Sequence, residues 1–304
     1  MTSGVHSLPI PASNQAFCDV SALEAGFLPF RCNYAVAGVH ENDQHLAPIL
    51  AFLITHAPSG KRLVFDLGMN LDEDNLGVTP AMRETLKDSG IYINKDVVAS
   101  LQDGGIEPDD VNVIVLSHIH ADHVGNPAKF KKARFLVGND SRGLFESGYP
   151  VDPKSFFDSR LLPKDRTDYF DPHGEDWKPI GPFERAFDYF NDGSLYFIDA
   201  PGHLPGHINL LARTSSDGAW IYLAADSAHD WRLVRGQAEI AVSHHPVYGV
   251  RCAHTDVEAA KDTIRRIGEV MRFPRVRVLL AHDNEWYEQN KDGKAFWPGK
   301  IPSL

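Results

Sequence analysis

The chain has 304 residues and a formal net charge of −11, from 30 Lys and Arg against 41 Asp and Glu. Its 43% hydrophobic and 23% charged residues are typical of a folded globular protein and exclude a disordered or fibrous chain. The acidic charge argues against a nucleic-acid partner, and no apolar run reaches the roughly 18 residues that a membrane span needs. We expect a cytoplasmic protein, a monomer or a homodimer, that acts on a small molecule and binds neither nucleic acid nor a membrane.

Strand-like runs recur along the chain, with helices between them. Two runs at 49–56 and 63–67 flank a Ser-Gly turn and predict a β-hairpin. Later strands are predicted at 111–116, 134–137, 195–199, 207–212, 220–225 and 276–281. A helix is predicted at 96–102, and another begins at Thr255, because Thr255 and Glu258 have the spacing of a capping box. This order of elements predicts an α/β domain with layered, mixed sheets.

The stretch at about 139–191 has a different character. It is rich in Pro, Asp and aromatic residues and has no clean period, so we expect an insertion of loops and short helices near the substrate pocket. Its aromatic side chains either wall an apolar pocket or cover the core, and both hypotheses stay open at this point.

Three of the 15 histidines stand close together directly after the predicted strand at 111–116. His118 and His120 are two residues apart, so an extended backbone points both imidazoles the same way. Asp122 and His123 follow, which makes four potential metal ligands in six residues. Imidazole and carboxylate ligands suit Zn²⁺, Fe or Mn. The three cysteines are far apart and predict neither a disulfide framework nor a thiolate zinc site.

This segment resembles the His-x-His-x-Asp-His signature of the metallo-β-lactamase-fold hydrolases, and four further motifs resemble that family's motifs in the same order. They are Asp66-Leu67-Gly68, residues 201–207 (PGHLPGH), Ala225-Asp226-Ser227 and Ala281-His282-Asp283. The resemblance extends over 49–283. It implies an α/β fold of the αββα type, a sandwich of two mixed β-sheets flanked by helices, as a single domain over 1–304.

The resemblance also implies which residues form the site. The implied metal ligands are His118, His120 and His203 for one ion, Asp122, His123 and His282 for a second ion, and Asp226 for both. Two Zn²⁺ ions are expected, with Fe, Mn or Co as alternatives. Asp66 and His207 are expected to support the ligands from behind.

A complete ligand set favours hydrolysis by a hydroxide that bridges two metals. Within the family the pattern resembles the lactonase branch, which implies opening of a cyclic ester or cyclic amide. The acidic chain favours a small neutral substrate over a phosphodiester. The lactonases commonly carry a tyrosine three residues after the bridging aspartate, whereas this chain has His229, whose imidazole can donate a hydrogen bond or act as a general acid. Asp122 and His229 are the candidate catalytic residues.

Three other functions stay open. They are a thioester hydrolase of the glyoxalase II type, a mononuclear iron dioxygenase and a non-catalytic metal-binding module. The sequence lacks the G-x-S-x-G, G-x-G-x-x-G and Walker patterns, which argues against a serine hydrolase, a dinucleotide enzyme and a P-loop NTPase. His244 and His245 are expected either to line a cleft or to be solvated, and His254 is expected to be structural or exposed.

Overall fold

The computed structural model describes residues 7–245 and 249–304, and of residues 244, 245, 249 and 250 it describes only the backbone. Two sheets of six strands and a separate two-stranded hairpin form the β-structure of these residues. The hypothesis that His244 and His245 line a cleft lies outside the described side chains. No described helix is long and apolar enough to cross a membrane.

The first sheet is mixed. Its strands, in chain order and in spatial order, are β1 (Cys18–Arg31), β2 (Gln44–His56), β3 (Arg62–Phe65), β4 (Val113–Val115), β5 (Arg134–Gly138) and β6 (Thr167–Phe170). Strands β1 to β3 pair antiparallel, and β3 to β6 pair parallel. A bulge between Glu24 and Phe27 shifts the register of β1 on β2. The bulge breaks the alternation of apolar and polar residues, which explains why the sequence pattern does not predict β1.

The second sheet is also mixed. The remaining strands are β7 (Lys178–Ile180), β8 (Phe183–Asp188), β9 (Leu195–Asp199), β10 (Ile208–Arg213), β11 (Trp220–Leu223), β12 (Ser243–His245), β13 (Gly249–Arg251) and β14 (Val276–Leu279). The spatial order is β14-β11-β10-β9-β8-β7, and β12 and β13 form the separate hairpin. Within the sheet β11 and β14 are parallel, whereas its other pairs are antiparallel. The predicted strands are therefore present, with ends that differ by a few residues.

The helices of the described residues are mostly short. They are α1 (Cys32–Ala35), α2 (Pro80–Leu86), α3 (Val97–Gln102), α4 (Ala121–Val124), α5 (Arg142–Glu146), α6 (Trp231–Val234), α7 (Val257–Val270) and α8 (Asn284–Asn290). The N-cap of α7 is Asp256, whose carboxylate accepts a hydrogen bond from the Ala259 N–H at 3.0 Å. The capping box predicted at Thr255 is therefore wrong by one residue, because the Thr255 hydroxyl donates instead to the Gly202 carbonyl, at 3.3 Å.

Alternating side chains give each sheet two apolar faces. On β2, Phe52 faces the second sheet in a shared core with Phe197, whereas Leu53 faces the opposite side, in a cluster with Leu101 of α3. The outer face of the second sheet packs against Ile267 of α7. The layers are thus helix, sheet, sheet and helix, which confirms the predicted αββα sandwich.

The segment 139–191 contains more regular structure than the sequence predicts. Strands β6, β7 and β8 lie within it and extend the edges of both sheets, so the expectation of loops and short helices is wrong for its second half. The rings of Phe170 and Tyr189 lie 4.8 and 5.0 Å from the ring of Phe197. These aromatic residues cover the core between the sheets. Their mutual contacts, rather than a strand-like alternation, explain the unusual composition.

Candidate metal centre

The predicted metal ligands lie in the connections that follow four strands. Residues 116–124 follow β4, 200–207 join β9 to β10, 224–229 follow β11, and 280–283 follow β14. The structure brings together all seven side chains that the sequence singles out, namely His118, His120, Asp122, His123, His203, Asp226 and His282. They form two adjoining groups, Asp226 belongs to both, and the side chains are mostly buried.

The first group contains three imidazoles. His118 Nε2 lies 2.9 Å from His120 Nδ1, and His203 Nε2 lies 3.2 and 3.0 Å from these two atoms. Asp226 Oδ2 completes the group at 3.5 Å from His203 Nε2. Ile119, between the two histidines, points the other way into the apolar cluster next to α3. The alternation expected of an extended backbone therefore places both imidazoles in the site.

The second group contains two imidazoles and two carboxylates. Asp226 Oδ1 lies 3.3 Å from His123 Nε2 and 3.4 Å from His282 Nε2. Asp122 Oδ2 lies 3.4 Å from His282 Nε2 and 3.8 Å from His123 Nε2. Asp226 thus presents one oxygen to each group, which is the arrangement that a carboxylate shared by two ions requires.

These donor atoms fit two divalent cations. Ligands at about 2.0–2.1 Å from a tetrahedral zinc ion lie about 3.3 Å from one another. Here the pairs just described, with His118 Nε2 and Asp226 Oδ2 at 3.9 Å, lie 2.9 to 3.9 Å apart, and all ligand atoms of a group lie within 4.8 Å of one another. His123 Nε2 and Asp226 Oδ1 are buried and have no hydrogen-bond partner among the described residues. Leaving such atoms unpaired costs free energy, and a cation between them satisfies both.

The two groups also differ in their charge. Burial lowers the pKa of His118, His120 and His203, so these imidazoles are neutral, as metal ligands must be. Burial also acts against protonation of His282, but Asp226 and Asp122 beside it raise its pKa to about 10. The second group therefore carries an excess of negative charge that a proton or a metal ion must balance.

Three groups behind the ligands fix the imidazole orientations. Asp66 Oδ2 lies 2.8 Å from His123 Nδ1, and the same carboxylate accepts hydrogen bonds from the Ser117 N–H and hydroxyl, both at 2.7 Å. His282 Nδ1 donates to the Pro48 carbonyl at 2.9 Å. With Nδ1 protonated, His123 and His282 direct the lone pair of Nε2 into the site. No pattern in the sequence predicts the roles of Ser117 and Pro48. Pro48 acts through its backbone carbonyl in β2, which the residue type does not reveal.

Two of the four described non-glycine residues with positive φ lie at the same place. Asp66, which contacts His123, and Ala225, which directly precedes Asp226, adopt φ values of 62° and 43°. Aspartate tolerates this left-handed region, whereas alanine pays about 1–3 kcal/mol for it. The strained turn at Ala225 positions the shared carboxylate of Asp226 between the two groups.

Three further histidines surround the cluster. His229 Nε2 lies 3.1 Å from Asp226 Oδ2, and the His229 ring lies parallel to Phe30 at 6.0 Å. The rings of His207 and His118 lie 5.1 Å apart, and neither His207 nitrogen has a hydrogen-bond partner among the described residues. The structure therefore places His207 against the cluster as a packing neighbour.

His254 lies beside the metal cluster, although none of the predicted metal ligands is near it in the sequence. Its buried ring is 5.4 Å from the ring of His203 and 5.3 Å from that of His229. Burial lowers its pKa to about 3, so the imidazole is neutral. Only the packing of α7 and the preceding turn against the 200–207 loop brings this residue to the site, and no local pattern predicts that contact.

The cluster lies at the bottom of a cavity of about 730 Å³. Its lining includes His120, Asp122, Asp226 and His229. The opposite walls come from residues between 28 and 34 and from Ser243, Arg251 and Ala253. Among the described residues, the lining contains none from 139–191, and Phe157 approaches the cluster with its ring 6.2 Å from that of His120. The structure therefore favours the hypothesis that the aromatic residues of 139–191 cover the core. The volume suits a small organic molecule.

Comparison with known proteins identifies the family. The sequence profile of the Metallo-beta-lactamase superfamily matches residues 46–214, more than half of the chain. The chain belongs to this superfamily and has an α/β fold with two His/Asp groups that can hold metal ions.

Three relatives show how the similarity is distributed. The protein named Cytochrome P450 monooxygenase mpaDE′ from Penicillium brevicompactum is 30% identical over 277 residues, which are 84% of this chain and 31% of that protein. Gamma-lactamase MBL2 from Gibberella moniliformis is 34% identical over 171 residues, 55% of this chain and 70% of the relative. N-acyl homoserine lactonase AttM from Azorhizobium caulinodans is 32% identical over 218 residues, 68% of this chain and 75% of the relative. The chain thus spans about a third of the length of the first of these proteins.

A solved structure extends the similarity over almost the whole chain. It is an N-acyl homoserine lactone hydrolase with the product N-hexanoyl-L-homoserine bound at its catalytic metal centre. The TM-score is 0.67 at 19% identity, and the match covers 93% of this chain and 98% of that one. At this identity the comparison supports the fold.

Proposed function

We propose that the chain is a dinuclear-metal hydrolase that opens a cyclic ester or cyclic amide. The observation that carries the proposal is the shared carboxylate of Asp226, which presents one oxygen to each of two ligand groups at the bottom of an open cavity. Relatives named as a lactonase and as a γ-lactamase support the same class of substrate. The leaving group of such a substrate stays attached to the product as an alcohol or an amine.

The ligand groups define the chemistry that bound metal adds. The two groups would hold two divalent ions, which would supply a hydroxide at neutral pH and polarise the carbonyl of the substrate. The acyl C–O or C–N bond breaks, a new carboxylate forms, and the leaving oxygen or nitrogen takes a proton. Imidazole and carboxylate ligands without thiolate suit Zn²⁺, and Fe, Mn or Co are the alternatives. Asp122 is a ligand in the second group and the candidate acceptor of the proton from the nucleophile.

His229 is the candidate proton donor to the leaving group. In the neutral imidazole, Nε2–H donates a hydrogen bond to Asp226 Oδ2 and Nδ1 is an acceptor. In the imidazolium, Nδ1–H is a second donor. Nδ1 is buried and has no partner within the described part of the chain, and the residue lines the cavity. The contact with Asp226 and the position in the cavity lining support this role for His229.

The test is a metal analysis combined with a substrate panel. The chain loaded with zinc, and separately with iron or manganese, is assayed against γ-lactones, γ-lactams and thioesters, with the Asp226→Asn variant as the inactive control. We expect ring opening with two metal ions per chain. Thioester cleavage alone would replace the proposal with the glyoxalase II type, and one iron per chain with oxygen consumption would replace it with the dioxygenase. Two bound ions without any turnover would favour a non-catalytic module.

A further inference from the structure

The charged side chains of the cavity differ from those of the whole chain. Two arginines, Arg31 and Arg251, line the cavity together with the metal cluster. The carboxylates in the described lining are Asp122 and Asp226, which both belong to the ligand groups. Two divalent cations more than neutralise these two carboxylates. The loaded cavity is therefore positive, although the whole chain has a net charge of −11.

The arginines stand on two walls that are joined to each other. Arg31 is the last residue of β1 and pairs with Gln44 of β2, and Arg251 of β13 pairs with Ser243 of β12. Both partners also line the cavity, so each wall presents a guanidinium beside a polar side chain. A bridge between Val36 and Ile240 connects the two walls.

Neither arginine is neutralised by a neighbouring carboxylate. Within the described residues, no carboxylate oxygen lies within 4.0 Å of either guanidinium, whereas Arg134, Arg160 and Arg232 each form an ion pair. The segment 244–250, next to Arg251 in sequence, contains no Asp or Glu. Both side chains are exposed to the solvent of the cavity mouth. A guanidinium in this position is free to bind a carboxylate in a bidentate manner.

We infer that the substrate carries a carboxylate, so that this site takes an anionic lactone or lactam whose ring lies at the metal cluster and whose carboxylate lies between Arg31 and Arg251. The inference rests on the proposed function for the identity of the ring. It replaces the neutral substrate that the net charge suggests, because net charge averages over the whole surface whereas a substrate experiences the local potential of the cavity. Gln44 and Ser243 add hydrogen-bond donors to the same site.

A matched series of substrates tests the inference. The substrates are α-acylamino-γ-butyrolactones whose acyl chains of increasing length end in a carboxylate, each compared with its methyl ester. We expect that at one chain length the acid has a kcat/KM about tenfold above that of its ester. This ratio falls to about one in the Arg31→Gln/Arg251→Gln double variant. The ratio also falls with rising salt concentration, because ions screen exposed charges.

A second arginine variant is the control. Arg272→Gln changes an arginine that lies beside α7 and lines a different groove, so it should leave the ratio of acid to ester at its original value. Thermal unfolding of all variants checks that they fold. A wild-type ratio of about one at every chain length, or a ratio that survives in the double variant, would overturn the inference.

A binding measurement separates this inference from the proposed function. Calorimetry compares the ring-opened diacid with its half ester on the zinc-loaded chain, so it needs no turnover. If no ring is opened but the diacid still binds about tenfold more tightly than the half ester in the wild type alone, the proposed function fails and the anion site stands. If rings are opened but acid and ester bind equally, the proposed function stands and the anion site fails.

Discussion

Asp66 is the residue on which the orientation of His123 depends. Its carboxylate accepts one hydrogen bond from His123 Nδ1–H and two from Ser117, in a backbone conformation with φ of 62°. Asparagine tolerates the same conformation and has the same size, so Asp66→Asn removes the negative charge with little change in backbone strain. We expect metal affinity to fall about 10–100-fold, as measured by competition with a chelator.

A second aspartate provides the control for this prediction. Asp72 lies a few residues further along the chain, is exposed and pairs with Lys129. The Asp72→Asn variant should keep the metal affinity of the wild type. Equal metal affinity in the Asp66→Asn variant would show that Ser117 and the fold alone orient His123.

The second prediction for a single residue concerns His229. Its imidazole contacts Asp226 and lines the cavity, and general acid catalysis typically contributes about 10²–10⁴ in rate. We expect His229→Ala to lower kcat by at least about 100-fold with two metal ions still bound. His229→Gln restores the hydrogen bond to Asp226 but not the proton donor, so its kcat should stay low. The exposed His40 provides the control variant, and an unchanged kcat in His229→Ala would exclude the role.

At the scale of elements, the start of α7 connects the helix to the loop that carries His203. Thr255 N–H donates to the His203 carbonyl at 3.0 Å, and Asp256 N–H donates to the Gly202 carbonyl at 2.9 Å. Gly202 has φ of 130°, and a Cβ there would lie 2.3 Å from the Ala260 nitrogen, so only glycine permits this close approach. Helix α7 therefore fixes the loop as well as the outer layer of the sandwich.

The capping residue of α7 gives a prediction about stability. Asp256→Ala should lower the free energy of unfolding by about 1 kcal/mol, because it removes the side-chain acceptor of the Ala259 N–H. Glu258→Ala, on the exposed face of the same turn, should cost less. Denaturant unfolding of both variants measures the difference. A loss in Asp256→Ala no larger than that in Glu258→Ala would contradict the role of Asp256 as the N-cap.

The elements that the sequence predicts and those that it misses differ in the range of their contacts. The ligand motifs lie at strand ends, where the alternation of apolar residues stops, and these seven side chains meet in the structure. Strand β1 is hidden by its bulge, and β6 to β8 by aromatic residues without alternation. The two cavity walls meet through the pairing of Val36 with Ile240, about two hundred residues apart, and no local pattern encodes such a contact.

At the scale of the whole molecule, the sandwich collects four loops from two sheets around one cluster of acidic and basic groups. The loop after β4 and the loop between β9 and β10 come from different sheets, and a hydrogen bond from the N–H of Ile208, the first residue of β10, to the Ser117 carbonyl at 2.9 Å joins the sheets there. The cluster places the buried Asp66 and Asp226 and the partly buried Asp122 close together. Carboxylates in such positions repel one another unless cations separate them. The folded state therefore depends on what occupies the centre.

Metal binding should consequently be linked to the stability of the entire fold. A ligand at 1,000 times its dissociation constant stabilises the native state by about 4 kcal/mol per site if it does not bind the unfolded chain. We expect removal of metal by a chelator to lower the thermal unfolding midpoint, and addition of zinc to restore it with two equivalents per chain. In the His282→Ala variant, which removes a donor of the second group only, one equivalent should give most of the remaining stabilisation. Both groups use the same carboxylate of Asp226, so an ion in each should contribute to the stability of the fold. Two ions at this centre would be contradicted by an unfolding midpoint that does not respond to metal, or by a wild-type response that saturates at one equivalent.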